Sequence, residues 1–185
     1  MSNKKTTAAN EAAENKALTG ATENATTAKE SERRSYTPKQ FDLNQVVTVR
    51  NGFQGELVYR SPKTGEGFVW DSFGAEQDME ISELRAARNS HKRYFENNWF
   101  LFDDPEVIDY LGLRQYYKNA LNVENFDDVF KLSPDALREK LAKLSVGQRK
   151  SVAYRAKQLI KENEIDSIKT IVALEECLGV DLIER

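Results

Sequence analysis

The residues best suited to chemistry in this chain are basic, and they fall in two stretches. Arg85, Arg88, Lys92 and Arg93 lie between Glu83 and Glu96 with no acid among them, and His91, Tyr94 and Trp99 lie beside them. Tyr59, Arg60 and Lys63, on a nearby hairpin, extend the set. Cations bind phosphates, and exposed rings take up bases or sugars. The same residues also read as a solvated helix face beside a core containing Tyr94, Phe95 and Trp99. If one helix persists that far, Arg85, Arg88 and Lys92 share a face. The second stretch, residues 140 to 161, holds Lys140, Lys143, Arg149, Lys150, Arg155, Lys157 and Lys161 and no acid. Helical periodicity puts Lys150, Tyr154, Lys157 and Lys161 on one side, opposite Val152, Ala156, Leu159 and Ile160. That side suits DNA phosphates or an acidic partner helix. It equally suits a solvent face whose charges pair with Glu124, Asp127 and Asp128, or with Glu162, Glu164 and Asp166.

Other chemistry finds less support. Asp103, Asp104, Glu106 and Asp109 are close enough to suggest a divalent-cation site of the kind nucleases and phosphatases use. Helix capping accounts for Asp104 and first-turn placement for Glu106, and no lysine or histidine motif follows. Cys177, in the last turn of a helix, reads as a small buried hydrophobe. With one cysteine and one histidine, an internal disulfide and a Cys/His zinc site are both excluded. No G-x-S-x-G, P-loop or dinucleotide-binding glycine pattern occurs, and hairpin geometry accounts for Asn51-Gly52-Phe53-Gln54-Gly55. We therefore expect no catalytic residue, cofactor or metal. The net charge of −3, from 27 basic and 30 acidic residues, requires any nucleic-acid surface to be local.

The elements that must position these residues are of two kinds. Residues 1 to 40 are rich in Ala, Thr, Asn, Glu and Lys, and composition predicts a disordered arm. It serves either as a solubilising tail or as a segment that orders on a neighbouring subunit. From Phe41, short β-branched and aromatic runs alternate with Gly and Pro turns. Strands are expected at 46–49, 56–60, 68–70, 77–81 and 99–102, with a short helix from Ser82 as N-cap through Asn89. An SH3-like barrel or meander would limit exposed edges. Asp104-Pro105 opens a helical region: helices are expected at 105–111, 113–121 and around 126–130, then after Ser133, after the capping pair Ser145 and Gln148, and from Ser167 to a Gly179 C-cap. The expected class is α+β: a disordered arm (1–40), a small β-rich module with one short helix (41–103) and a helical bundle (104–185). The dense aromatics Trp70, Phe73, Tyr94, Phe95, Trp99, Phe100 and Phe102 should be mostly core. No run of about 18 apolar residues predicts a membrane span, and the N-terminus lacks the apolar region of a secretory signal.

The stretch VTVRNGFQGELVYRSPKTGEGFVWDSFGAEQDMEISELRAARNSHKRYFENNWFLF, with GQRKSVAYRAKQLIKENEIDSIKTIVALEECLG near the C-terminus, resembles small uncharacterised proteins of tailed bacteriophages and prophages. The resemblance implies a phage origin and a place in the virion or its assembly, in the host cytoplasm or the particle. It supplies no functional residues. The expectation is a non-enzymatic protein acting through contacts with other subunits, further copies of itself included. The alternative is a nucleic-acid-binding module using the patches at 85–93 and 140–161, and an enzyme of unrecognised type comes third.

Overall fold

The computed structural model describes residues 40 to 183. The arm expected at 1–40 lies outside the described residues except for Gln40. The architecture is α+β, with two small antiparallel sheets and, among the described residues, seven α-helices.

Strand β1 (Val46–Asn51) is the hub of the larger sheet. It pairs with β4 (Glu76–Glu80) from Val46↔Glu80 to Arg50↔Glu76, and its end pairs with β5 (Phe100–Leu101) through Arg50↔Leu101 and Asn51↔Phe100. Strands β2 (Leu57–Arg60) and β3 (Gly67–Trp70) form the second sheet, in register Leu57↔Trp70 to Arg60↔Gly67.

A hairpin from β1 into β2 does not form at Asn51-Gly52, because that loop is committed elsewhere. The Asn51 amide donates to the carbonyls of Gly55 (2.7 Å) and Ser72 (2.9 Å) and accepts from the Phe53 N–H (2.8 Å). The Gly52 N–H donates to the Trp99 carbonyl at 2.7 Å. A β-carbon on Gly52 would stand 2.2 Å from the Asn98 carbonyl oxygen, so this close approach requires glycine.

Helix α1 spans Ile81–Ser90, starting two residues earlier than a Ser82 cap would give. Its first N–H groups need no capping side chain, since Ile81 and Ser82 donate to the Gln45 and Leu43 carbonyls, each at 2.9 Å. A short helix α2 (Arg93–Glu96) follows, then β5 and α3 (Pro105–Tyr110), whose cap Asp104 accepts from the Glu106 N–H at 2.8 Å. The helix expected over 113–121 is only α4 (Arg114–Tyr117). Backbone groups in and beyond it are taken by distant side chains: Asn98 donates to the Tyr116 carbonyl (3.0 Å), and Gln148 holds Leu121. A 3₁₀ turn (Asp127–Lys131) leads into α5 (Pro134–Ala142), α6 (Val146–Lys161) and α7 (Ile168–Leu178). Ser133, Ser145 and Ser167 cap these three, and Gly179 ends the last at φ +66°.

Two apolar clusters result. Val49, Tyr59, Trp70, Leu84, Phe95, Phe100, Leu111 and Leu113 belong to the first; Leu121, Phe126, Leu137, Leu141, Val152, Ala156 and Leu174 belong to the second. Membership changes between Leu113 and Leu121, so α3 and α4 pack with the strands although their pattern is helical. The described residues nonetheless form one compact unit. At the junction, Phe73 packs on Phe126 with centroids 4.8 Å apart, and Ser151 donates to the Gly52 carbonyl at 3.2 Å. Arg50 contacts Glu76 (3.0 Å), Asp103 (3.1 Å) and Glu124.

Candidate binding surfaces

The first basic stretch is built on the end of α1 and the turn that follows it. Arg85 and Arg88 are exposed on α1, which buries Ile81, Leu84 and Ala87; Arg88 follows Leu84 by one turn and reaches out past that buried row beside Gly112. The helix stops at Ser90, with His91 as its C-cap, so Lys92 and Arg93 do not continue that face. His91 turns inward, its ring edge-on to Tyr59 at 5.6 Å, and the chain turns with it. Arg88 and Lys92 still meet, across a cleft of about 220 Å³ lined also by Asn89, Gln115 and Tyr116. Lys92 and Arg93 line a second opening of about 470 Å³ with His91, Tyr94, Glu96 and Trp99. Lys92 and Asn89 belong to both. None of Arg85, Arg88, Lys92 and Arg93 has an acid within ion-pair distance among the described residues.

The hairpin residues divide. Arg60 and Lys63 are exposed, and Arg60 donates to the Gly65 carbonyl at 3.1 Å. Tyr59, expected as a contact residue, is fully buried and therefore unavailable to any partner. Its hydroxyl donates to Glu83 at 2.6 Å, and the other Glu83 oxygen accepts from Ser61 at 2.9 Å. Burial, then the hydrogen bond to Glu83 and the carboxylate's charge, push the Tyr59 phenol far up from its ordinary value. Burial likewise raises Tyr94 and Tyr117, whose hydroxyls each donate at 2.6 Å, to the carbonyls of Val58 and Phe100. Glu83 escapes sequence reasoning because an acid directly after an expected Ser82 cap is accounted for by the positive end of the helix dipole. Its neighbours Leu84 and Ala87 were the only hint that this face turns inward.

The second stretch has the geometry that its period implies. Lys150, Tyr154, Lys157 and Lys161 are exposed along α6, Val146 begins the same stripe, and Val152, Ala156 and Leu159 are buried behind it. Arg155 pairs with Asp127 at 2.7 Å, and that hydrogen bond raises its pKa. Pairing reaches no further along the exposed stripe: Lys150, Lys157 and Lys161 have no ion pair among the described residues.

The acidic residues near the start of α3 have structural partners. Asp103 pairs with Arg50, Asp104 caps the helix, and Asp109 pairs with Arg114. Among the described residues, no group of three or more His, Cys, Asp or Glu side chains is arranged to hold a metal ion. Cys177 is half-buried against the second cluster. No described helix is long and apolar enough to cross a membrane.

Comparison with family models, with curated proteins and with solved structures returns no match for this chain.

Proposed function

We propose that this chain is a non-enzymatic structural or assembly component of a tailed-phage particle, acting through contacts with other protein subunits. One observation carries the reading: the outer stripe of α6 mixes unpaired lysines with large apolar side chains left in water. Val146 and Tyr154 are each 55% exposed, between and beside Lys150, Lys157 and Lys161. A tyrosine ringed by flexible cations has the composition of an interface anchor within a polar rim. The lysines select an acidic partner subunit, and their alkyl stems add apolar area on contact. The non-enzymatic reading rests on how the acids are used: Asp103, Asp104 and Asp109 are engaged in a salt bridge, a cap and a second salt bridge. For the architecture, we read the two sheets as an incompletely closed SH3-like barrel over the first cluster and α5 to α7 as a helical bundle. On this reading the protein works in the host cytoplasm or within the virion.

Purified particles and assembly intermediates should contain the protein, as seen by electron microscopy and mass spectrometry. Replacing Tyr154 with Ala should cost about 2 kcal/mol of subunit affinity, and Lys150→Glu with Lys157→Glu should release the protein from particles. Its absence from both particles and intermediates would refute the reading.

A further inference from the structure

We propose that the paired clefts around Lys92 bind single-stranded nucleic acid, with backbone phosphate at Arg88 and Lys92 and a base in the opening beside Trp99. This surface is separate from the α6 stripe, so it stands or falls independently of the assembly reading. Four features converge on it. Arg85, Arg88, Lys92 and Arg93 occur within nine residues, all exposed, and no acid among the described residues pairs with any of them. Arg50, Arg114, Arg138 and Arg155 have carboxylate partners, whereas these four, like Arg60, Arg149 and the α6 lysines, are left over after the fold's own pairing. Unneutralised cations at this spacing suit successive phosphates.

The clefts add shape to charge. The smaller one, about 220 Å³, sets Arg88 and Lys92 among the neutral polar side chains Asn89, Gln115 and Tyr116, and no carboxylate lines it. Phe95 and Leu113 also line it, giving it apolar walls. The larger one, about 470 Å³, shares Lys92 and is lined by Trp99, Tyr94 and His91. Trp99 is half-buried, T-shaped to Tyr94 (5.4 Å between centroids) and to Phe53 (6.2 Å), and the part of it left outside the core lines this opening. Glu96 is the single acid there; it disfavours phosphate in this cleft and leaves it to the base, whose ring N–H or amino groups can donate to a carboxylate. Anion site and aromatic site are thus adjacent with a lysine between them, the arrangement that tracks a strand and stacks its bases. A duplex keeps its bases paired and stacked, and so has no unpaired base to offer this cleft.

The two tryptophans make the test direct. Trp70 is buried and its indole N–H donates to the Val49 carbonyl at 2.9 Å, so a fluorescence change on ligand addition reports Trp99. Oligo(dT) and oligo(U) added to the full chain at about 50 mM salt should quench that signal saturably. The log–log salt slope should be about −1.4, from phosphate at Arg88 and Lys92 at about 0.7 each for a single strand. Arg88→Glu with Lys92→Glu should weaken binding about tenfold or more, and Arg88→Gln with Lys92→Gln should reduce the slope by about 1.4. Lys150→Glu with Lys157→Glu should leave binding unchanged. Thermal melting of each variant confirms that it is folded. Any one of three outcomes overturns the proposal: no saturable quenching, duplex binding as tight as single strand, or poly-glutamate and inorganic phosphate competing as well as oligonucleotide.

Discussion

Gln148 holds both backbone groups of Leu121. Its carbonyl accepts from the Leu121 N–H at 3.0 Å, its amide donates to the Leu121 carbonyl at 2.8 Å, and the side chain is fully buried. Gln148→Ala would leave a buried donor and acceptor without partners and should destabilise the fold by about 2–4 kcal/mol in urea unfolding. Gln148→Glu should be nearly as costly, because a carboxylate cannot donate to the facing carbonyl. The buried phenols set a second expectation. Tyr59, Tyr94 and Tyr117 keep their protons in the fold above pH 10.0, where tyrosines of the unfolded chain begin to lose theirs. The unfolded state then binds fewer protons than the folded state, so stability falls as pH rises. Stability should be level with respect to these groups below about pH 9 and decline above pH 10.0, by about 1.4 kcal/mol per pH unit for each of Tyr59 and Tyr117 and by less for Tyr94, which lines an open cleft. Urea midpoints measured across this range, with phenolate absorbance followed in parallel, check it. Tyr117→Phe should make the decline shallower.

At the level of elements, α6 is the member whose placement matters most, since one side closes the second cluster and its start rests on the β module. Gly147 sits where that contact is tightest: a β-carbon there would stand 2.4 Å from both the Asn97 β-carbon and the Asn97 carbonyl oxygen. Alanine is the better helix former by about 1 kcal/mol, yet the clash is with backbone and cannot be relieved by a rotamer. Gly147→Ala should therefore cost about 1–3 kcal/mol net. Gly179→Ala is the contrasting case. Nothing lies within 4 Å of its β-carbon position, and only the backbone at φ +66° resists, so the cost should be about 1 kcal/mol. Chemical denaturation of the two variants side by side separates crowding from backbone strain. A Gly147→Ala variant as stable as the parent, or more so, would show that α6 does not press on Asn97.

For the whole molecule, the question is whether two apolar clusters unfold as one. They are joined by the Arg50 contacts to Glu76, Asp103 and Glu124, by Phe73 on Phe126, by Ser151 to Gly52 and by Gly147 against Asn97. Losing either cluster strips partners from this junction, so we expect one cooperative transition. Tryptophan fluorescence reports the first cluster and far-ultraviolet helicity is weighted to α5, α6 and α7, so the two urea curves should superimpose. Separate midpoints would show that the junction is weaker than either cluster. Residues 104–117 should then follow the tryptophans, because they pack on the strands.

Much of the local structure was determined by the sequence alone. Asp104-Pro105, Ser133-Pro134, Ser145 with Gln148, and Gly179 mark helix ends by short-range chemistry: a side chain reaching an N–H two or three residues away, or a ring or missing side chain that sets φ. The exposed lysine stripe of α6 was likewise readable, because a 3.6-residue period fixes which side chains share a face. Contacts distant in sequence were decided only by the tertiary structure. Pairing of β1 with β4 and β5, burial of Tyr59 on Glu83, and capture of Leu121 by Gln148 join residues separated by 24 or more positions. No local pattern carries that information, since the free energy of each contact depends on what the rest of the chain has already brought into place. The same holds for the clefts at Lys92. Charge spacing announced the cations, but only the turn at His91, which ends α1 and swings Lys92 between Arg88 and Trp99, makes a surface of them.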